Sequence, residues 1–376
     1  MLWALAHDSL EGRGTGTRGE ARAARFIAEE FRRARLEPVG DSGYFQRVPL
    51  ILRRRPDGRT SAGRVVSFAA RDTFPADQRG IAVNVLGVLR GSDAVLKDSV
   101  ILVDAHYDHV GLTAAPVDVD SLRAWQAMAA PIFTERDEWL QTSGIATRSQ
   151  RAATLSDAER AKMSEFTTRL GALRVNMDSV RRVHPRVWRD SVYNGADDDA
   201  SGVAAVIEIA RQLAAGPRPK RTILFAATTG EEVGLIGTRW YIEHPVFPNT
   251  ALQANLEIEM IGRPDSLAGG FGRGWLTGFE RSTMGEMFKA AGLAISPDMR
   301  PSQNFFMRSD NIAFARMGIP AHTLSSFNMH TDYHQLTDEV GAVDFAHMAA
   351  VINAAVEAVK LLANGEAPRW NPGGKP

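Results

Sequence analysis

The sequence predicts an α/β protein: a three-layer αβα sandwich around a mostly parallel central sheet, with a helical insertion set into it. Two patterns predict this class. Short apolar runs without polar alternation, such as Val100-Ile101-Leu102-Val103 and residues 222–228, fit strands buried on both faces. Stretches with helical spacing of apolar residues lie between them, and such alternation puts helices on both faces of one sheet. In sandwiches of this kind, ligand sites gather in loops at the carboxyl ends of strands.

The elements follow in order. Residues 18–36 read as a first amphipathic helix, with Ala24, Ile27, Phe31 and Ala34 on one stripe and arginines elsewhere. Pro38 and Gly40 end it. Residues 81–89 and 99–105 read as strands. Helix 201–214, strand 222–228, helix 237–244, strand 255–261, helix 279–291 and strand 319–325 continue the alternation. A long helix over 343–363 closes it.

Residues 112–190 break the rhythm, being rich in Ala, Arg and Glu. Trp125, Met128, Ile132 and Phe133 mark one helical part, and Leu155, Met163, Phe166, Leu170 and Leu173 another. With no metal or nucleophile pattern, this stretch reads as a lid or packing element. The expected organisation is therefore a main domain in two parts, 1–111 and 191–363, split by the insertion at 112–190. The Pro- and Gly-bearing tail at 364–376 is expected to be loose. No internal repeats occur.

Bulk properties narrow the function. The 376 residues, 44% of them hydrophobic, suffice for one large core or two modest ones. Lys and Arg number 44 against 44 Asp and Glu, so no net field draws nucleic acid or an anionic membrane. With no cysteine, thiolate metal sites and cysteine nucleophiles are excluded, and any metal must sit on His, Asp and Glu. No apolar run in the sequence suggests membrane insertion. The opening Met1 to Asp8 is too short and too quickly polar for a secretion signal, so the expectation is a cytosolic chain or one numbered after a removed signal.

Four places share one form, an apolar strand that ends in His, Asp or Glu. After strand 99–105 come His106 and Asp108, the latter spaced to orient the imidazole by accepting its other N–H; His109 reads as a loop residue. Asp197, Asp198 and Asp199 precede a helix. They suit a capping turn, yet three crowded negative charges favour a cation. Glu231 and Glu232 follow strand 222–228 at the mouth of the sheet, where one carboxylate can bind metal while its neighbour handles protons. Glu259, amid Ile258, Met260 and Ile261, would be costly to bury without a partner. His334 lies in a loop beyond strand 319–325. Each has a plain structural reading when taken alone. The remaining histidines (His7, His184, His244, His322, His330 and His347) read as structural or surface groups.

Taken together, these motifs resemble the secreted bacterial zinc aminopeptidases, which are related to glutamate carboxypeptidase II and, more distantly, to glutaminyl cyclases. The resemblance runs from Leu10-Glu11-Gly12-Arg13-Gly14-Thr15-Gly16 to the closing helix, interrupted by the insertion, and rests on five short motifs in the family's order. It implies the family's di-zinc aminopeptidase/phosphorylase-hydrolase-like fold and metallo-aminopeptidase activity on peptide substrates, with two zinc ions as cofactors.

In that reading, His106 and Glu259 hold one zinc, Glu232 and His334 hold the other, and Asp198 bridges both. Glu231 is the general base, Tyr333 stabilises the oxyanion, Asp108 buttresses His106, and Arg308-Ser309-Asp310 helps hold the substrate amine. The resemblance further implies a cis peptide at Asp198–Asp199 and a secreted or periplasmic location. Glu259 stands where the aminopeptidases usually carry Asp, which leaves a carboxypeptidase or dipeptidase as the alternative on the same scaffold. A catalytically inactive receptor-like relative is the third reading, but such relatives typically lack ligands that this chain keeps. Side-chain preference and oligomeric state are not readable from the sequence.

Overall fold

The computed structural model describes residues 1–55, 60–143 and 155–376. Its strands are β1 (Glu37–Pro38), β2 (Phe45–Arg54), β3 (Thr60–Arg64), β4 (Arg79–Leu89), β5 (Val100–His106) and β6 (Gly111–Asp118). Then come β7 (Arg189–Tyr193), β8 (Thr222–Thr228), β9 (Leu252–Ile258), β10 (Gly274–Leu276), β11 (Ile295–Pro297) and β12 (Ala321–Ser325). A large sheet runs β11-β10-β12-β9-β5-β8-β4-β2-β3, with β1 pairing onto β4. Its heart, β12-β9-β5-β8, is parallel. Its flanks are antiparallel at β8-β4, β4-β2, β2-β3 and β12-β10. The sheet is therefore parallel where the site lies and mixed overall.

The three layers follow from strand periodicity. In β5, Ile101 and Val103 join one core while Val100 and Leu102 join the other, because alternate residues face opposite sides. The first face is covered by helices Arg18–Arg33, Ala200–Ala215 and Phe345–Asn364, through Ile27, Phe31, Val206, Val351 and Val359. The second is covered by helices Ile236–Glu243 and Asn311–Arg316, through Tyr241, Ile312 and Phe314. Helix Phe345–Asn364 is, by length and composition alone, long and apolar enough to cross a membrane, which the sequence reading did not anticipate. Its inward stripe is spent on the main core.

The insertion is not helical throughout. Strands β6 and β7 pair antiparallel at its base, and helices Val119–Thr142, Asp157–Ala172 and Met177–Val183 rise between them. Its stretch 144–154 lies outside the described residues. The tail expected to be loose is anchored instead: the Trp370 indole N–H donates to the Gly318 carbonyl (2.8 Å), and Asn371 N–H donates to the Arg281 carbonyl (2.9 Å). Trp370 also packs against Phe306 and His322, a long-range contact that Pro and Gly content does not predict.

Candidate metal centre

Because β5, β8, β9 and β12 run parallel, their carboxyl ends open at one edge of the sheet. His106 is the last residue of β5, and Glu259 directly follows β9. Glu231 and Glu232 lie in the turn after β8, and His334 lies in the loop after β12. Asp198 sits in the turn that opens helix Ala200–Ala215.

Two groups of side chains converge there and share Asp198. His106, Asp198 and Glu259 form one; His109, Asp198, Glu232 and His334 form the other, and within each group the candidate ligand atoms lie within 4.8 Å of one another. His106 Nε2 is 3.3 Å from Asp198 Oδ1 and 3.9 Å from Glu259 Oε1. His334 Nε2 is 3.0 Å from both Asp198 Oδ2 and Glu232 Oε2. The buried His106 Nε2 and both Asp198 oxygens lack a hydrogen-bond partner. Buried polar atoms are rarely left so. An imidazole nitrogen facing orphaned carboxylate oxygens is the donor set that fits a borderline cation bound by N and O ligands. All five ligands expected from the sequence are brought together here.

The three consecutive aspartates divide their roles. The Asp197 carboxylate accepts from Gly262 N–H (2.6 Å) and faces His330 Nε2 (3.1 Å). Asp199 caps its helix through Gly202 N–H and also accepts from Met260 N–H, both at 3.0 Å. Only Asp198 is left for the two groups. The Asp198–Asp199 peptide is cis, as the resemblance implies. Asp338 fixes the turn by accepting the N–H of Asp197 (3.1 Å) and of Asp198 (3.0 Å). Gly195 is required upstream: it lies at φ 52°, and a Cβ there would meet Asp198 O at 2.2 Å and the His109 ring at 2.5 Å. Arg13 ties this turn to β5. Its buried guanidinium donates to the carbonyls of Leu5, Tyr107, Asn194 and Gly195 at 2.6–2.9 Å.

Asp108 does not hold His106 in the expected manner. His106 Nδ1 lies 3.2 Å from the Asp108 backbone carbonyl, whereas the carboxylate is 3.8 Å away. The carboxylate instead accepts from Thr15 Oγ1 (2.7 Å) and Glu231 N–H (3.1 Å), so it positions the candidate base. His109, expected to be a loop residue, belongs to the site. Its Nδ1 is 2.9 Å from Glu232 Oε1 and its ring packs edge-on to His334. The signal was its place beside Asp108 at the strand end, but only the fold brings Glu232 to it.

Glu231, Tyr333 and Arg308 line one small cavity of about 40 Å³ together with Asp198, Glu259 and His334. The Tyr333 ring stacks on His334 at 3.9 Å, and Arg308 lies over the Phe305 ring. Sequence reasoning missed Glu257, whose carboxylate accepts from Ser309 Oγ (2.5 Å), Thr323 Oγ1 (2.7 Å), Asp310 N–H (3.1 Å) and Asn311 N–H (3.0 Å). It fixes the segment after Arg308 to the sheet. On the other side of the two groups a cleft of about 560 Å³ is lined by His109, Glu232 and His334 and by Thr15, Ser61 and Leu112.

The charged groups of the site shift one another strongly. Burial opposes the charge on Asp198, yet pairing with His106 and His334 holds it well below the usual carboxylate range. Burial and Asp198 work against Glu232, but His109 and His334 outweigh them and pull it down to about 2. Burial opposes protonation of His334, yet Asp198 and Glu232 push it up to about 10. Burial, reinforced by Glu257, pushes Glu259 up to about 8. Burial also lifts the Tyr333 hydroxyl well above its usual range, which keeps it a neutral donor.

The chain matches Peptidase family M28 over residues 177–359. It is 32% identical over 143 residues to leupeptin-inactivating enzyme 1 of Streptomyces exfoliatus, covering 36% of this chain and 31% of that protein. A probable zinc metalloprotease of Pyrenophora tritici-repentis is 34% identical over 120 residues, 32% of this chain and 24% of that protein. The chain thus spans a third or less of the length of these curated relatives. Among solved structures, BSAP, a zinc aminopeptidase from Bacillus subtilis, superposes with a TM-score of 0.56 at 14% identity over 97% of this chain and 95% of that one. An aminopeptidase from Aneurinibacillus sp. strain AM-1 gives 0.55 at 13% identity over 97% and 93%. The architecture is therefore the one these aminopeptidases share.

Proposed function

We propose that the protein is a zinc-dependent aminopeptidase that uses two ions, a reading supported by the match of residues 177–359 to Peptidase family M28. The observation that carries this reading is one bridging carboxylate, Asp198, shared by two ligand groups beside a cavity that also holds Glu231 and Tyr333. His106, Asp198 and Glu259 would hold one zinc; Asp198, Glu232 and His334 the other. When bound, the pair supplies Lewis acidity, bringing the pKa of a water towards neutrality and polarising a carbonyl.

The chain's own residues supply the rest. Glu231 accepts the proton of the attacking water and returns it to the leaving amine. Its backbone is anchored on Asp108, which fixes the approach of its carboxylate. Tyr333, a neutral hydroxyl in the same cavity, donates to the oxygen on which negative charge develops. The segment after Arg308, pinned by Glu257, offers backbone carbonyls to a substrate's free amine. His109 holds the second oxygen of Glu232 and so orients the first. The cleft of about 560 Å³ on the far side gives room for the peptide beyond the scissile bond.

Glu259 is one methylene longer than the aspartate usual among such aminopeptidases. That single departure favours a second reading, removal of a carboxyl-terminal residue or cleavage of dipeptides by the same centre. A panel of aminoacyl anilides and N-blocked peptides separates the two: hydrolysis of the blocked peptides alone overturns the aminopeptidase assignment. Glu231→Gln is expected to lose turnover by about 10² to 10⁴-fold while keeping two zinc ions by metal analysis; undiminished turnover removes Glu231 from the base role. By likeness to secreted enzymes, the site of action lies outside the cytoplasm, which fractionation of the source cells checks.

A further inference from the structure

Among the described residues, the helical insertion touches the loop that carries Tyr333 and His334 through Gln126. Gln126, on helix Val119–Thr142, is 5% exposed and points at that loop. Its Nε2 lies 2.9 Å from the Thr331 carbonyl, 2.7 Å from Thr337 Oγ1 and 3.3 Å from Asp332 Oδ1. Acceptors on all sides assign the amide nitrogen, not the oxygen, to this contact. Thr337 Oγ1 donates in turn to Asp332 Oδ1 (2.6 Å). The other Asp332 oxygen takes Arg263 Nη1 (2.5 Å), whose second nitrogen reaches Asp338 (3.4 Å), the residue that holds the Asp197 and Asp198 amides. A continuous polar chain therefore joins the insertion to His334's loop and to the bridging aspartate's turn.

That loop needs external support. His334 lies at φ 56° and Met329 at φ 64°, left-handed conformations that non-glycine residues adopt only when their surroundings fix them. The loop's own backbone bonds span only short steps: Tyr333 N–H to His330 O is a long 3.5 Å, Gln335 N–H to Asp332 O is 2.8 Å, Asp338 N–H to Gln335 O is 3.2 Å and Glu339 N–H to Thr337 O is 2.9 Å. Gln126 and Thr337 clamp the segment on either side of His334.

We propose that the insertion is a positioning element of the metal centre, and that Gln126 sets the His334 loop for the second ion. This rests on the two-ion reading above. Gln126→Met keeps the side-chain length and removes the donor. Metal-free protein titrated with Co²⁺, followed by calorimetry and visible absorption, reports each ion separately. The variant is expected to bind one ion within twofold of the unaltered protein and the other about tenfold more weakly, with a changed absorption band for the weakened ion. Its kcat falls more than its KM changes. Thermal unfolding of the metal-free variant stays within a few degrees.

Thr337→Val, which removes the clamp's hydroxyl from the other side, carries the same expectation and decides the matter if Gln126→Met fails to fold. Wild-type affinities, spectrum and kcat in either folded variant overturn the proposal. If the unaltered chain itself binds fewer than two ions, the two-ion reading falls and this inference falls with it.

Discussion

Replacing Arg13 by Met tests whether the turn carrying Asp198 is held from below. The guanidinium is 1% exposed and serves four backbone carbonyls: Leu5 and Asn194 at 2.6 Å, Tyr107 at 2.8 Å and Gly195 at 2.9 Å. A hydrogen bond from a charged donor contributes about 1.5–3 kcal/mol. Four bonds from one planar group are not independent, and burying the cation costs several kcal/mol that the variant regains. Methionine keeps the apolar stem but leaves the carbonyls buried and unmatched, so the expected net loss is about 4 kcal/mol. For a chain of 376 residues the unfolding entropy is roughly 0.8 kcal/mol per kelvin, which makes the shift in Tm about 5 °C. Urea unfolding of metal-stripped protein, with far-ultraviolet dichroism as the readout, gives the number directly. A loss below about 1 kcal/mol refutes the reasoning, because it would mean the four carbonyls find other donors when the turn relaxes.

Three further outcomes are expected. Gly195→Ala puts a methyl group 2.2 Å from Asp198 O at a left-handed φ, and denaturant titration should record a loss of about 3 kcal/mol; a loss under 1 kcal/mol, by the same scale, would show the turn yielding freely. His109→Ala should weaken the ion held by Glu232 and His334 by about 10 to 100-fold in chelator competition, as for a group that orients a ligand, whereas unchanged affinity would remove His109 from the site.

His322, buried between the Thr277 carbonyl and Ser282 Oγ at 2.7 Å each, is kept neutral, and burial pushes it down to about 4. Since the unfolded histidine titrates near 6.5, the unfolded chain takes up this proton first. The stabilisation is whole above 6.5 and is lost as pH falls towards 4, a change of about 3 kcal/mol. Wild type minus His322→Gln, measured by urea unfolding at pH 7 and pH 4, isolates it; parallel pH curves for the two proteins would contradict the sign.

The sequence made the parallel heart of the sheet legible because burial on both faces leaves no choice but apolar residues, so Val100-Ile101-Leu102-Val103 stands out. The candidate ligands His106, Glu232 and Glu259 were legible for the same reason: charge at the end of such a run has nowhere to go but the mouth of the sheet. The flank was harder to read. In β2 the run Val48-Pro49-Leu50 is broken by a proline and closes in two arginines, which argues against a strand, yet it pairs with β4 over Phe45–Ile51 and with β3 over Leu50–Arg54. Asp108 was placed in the right neighbourhood with the wrong atom, since spacing alone does not distinguish a carboxylate contact from a carbonyl one. His109 and Glu257 act through partners more than 50 residues away, and Trp370 docks on residues that the local sequence does not mention. Such partners are set by topology, and no local pattern carries them.

The neck formed by β6 and β7 has a consequence for how such a chain can change. Strands β5 and β8 are neighbours in the sheet, yet the whole roof of helices is threaded between them in sequence. Joining the ends of a flexible loop grows costlier only with the logarithm of its length, so a roughly threefold longer connection adds about 1 kcal/mol. The ladder at the neck recovers some of this by closing the gap locally. A scaffold of this kind can therefore acquire, lengthen or exchange the structure above its chemistry while the strands beneath keep their register.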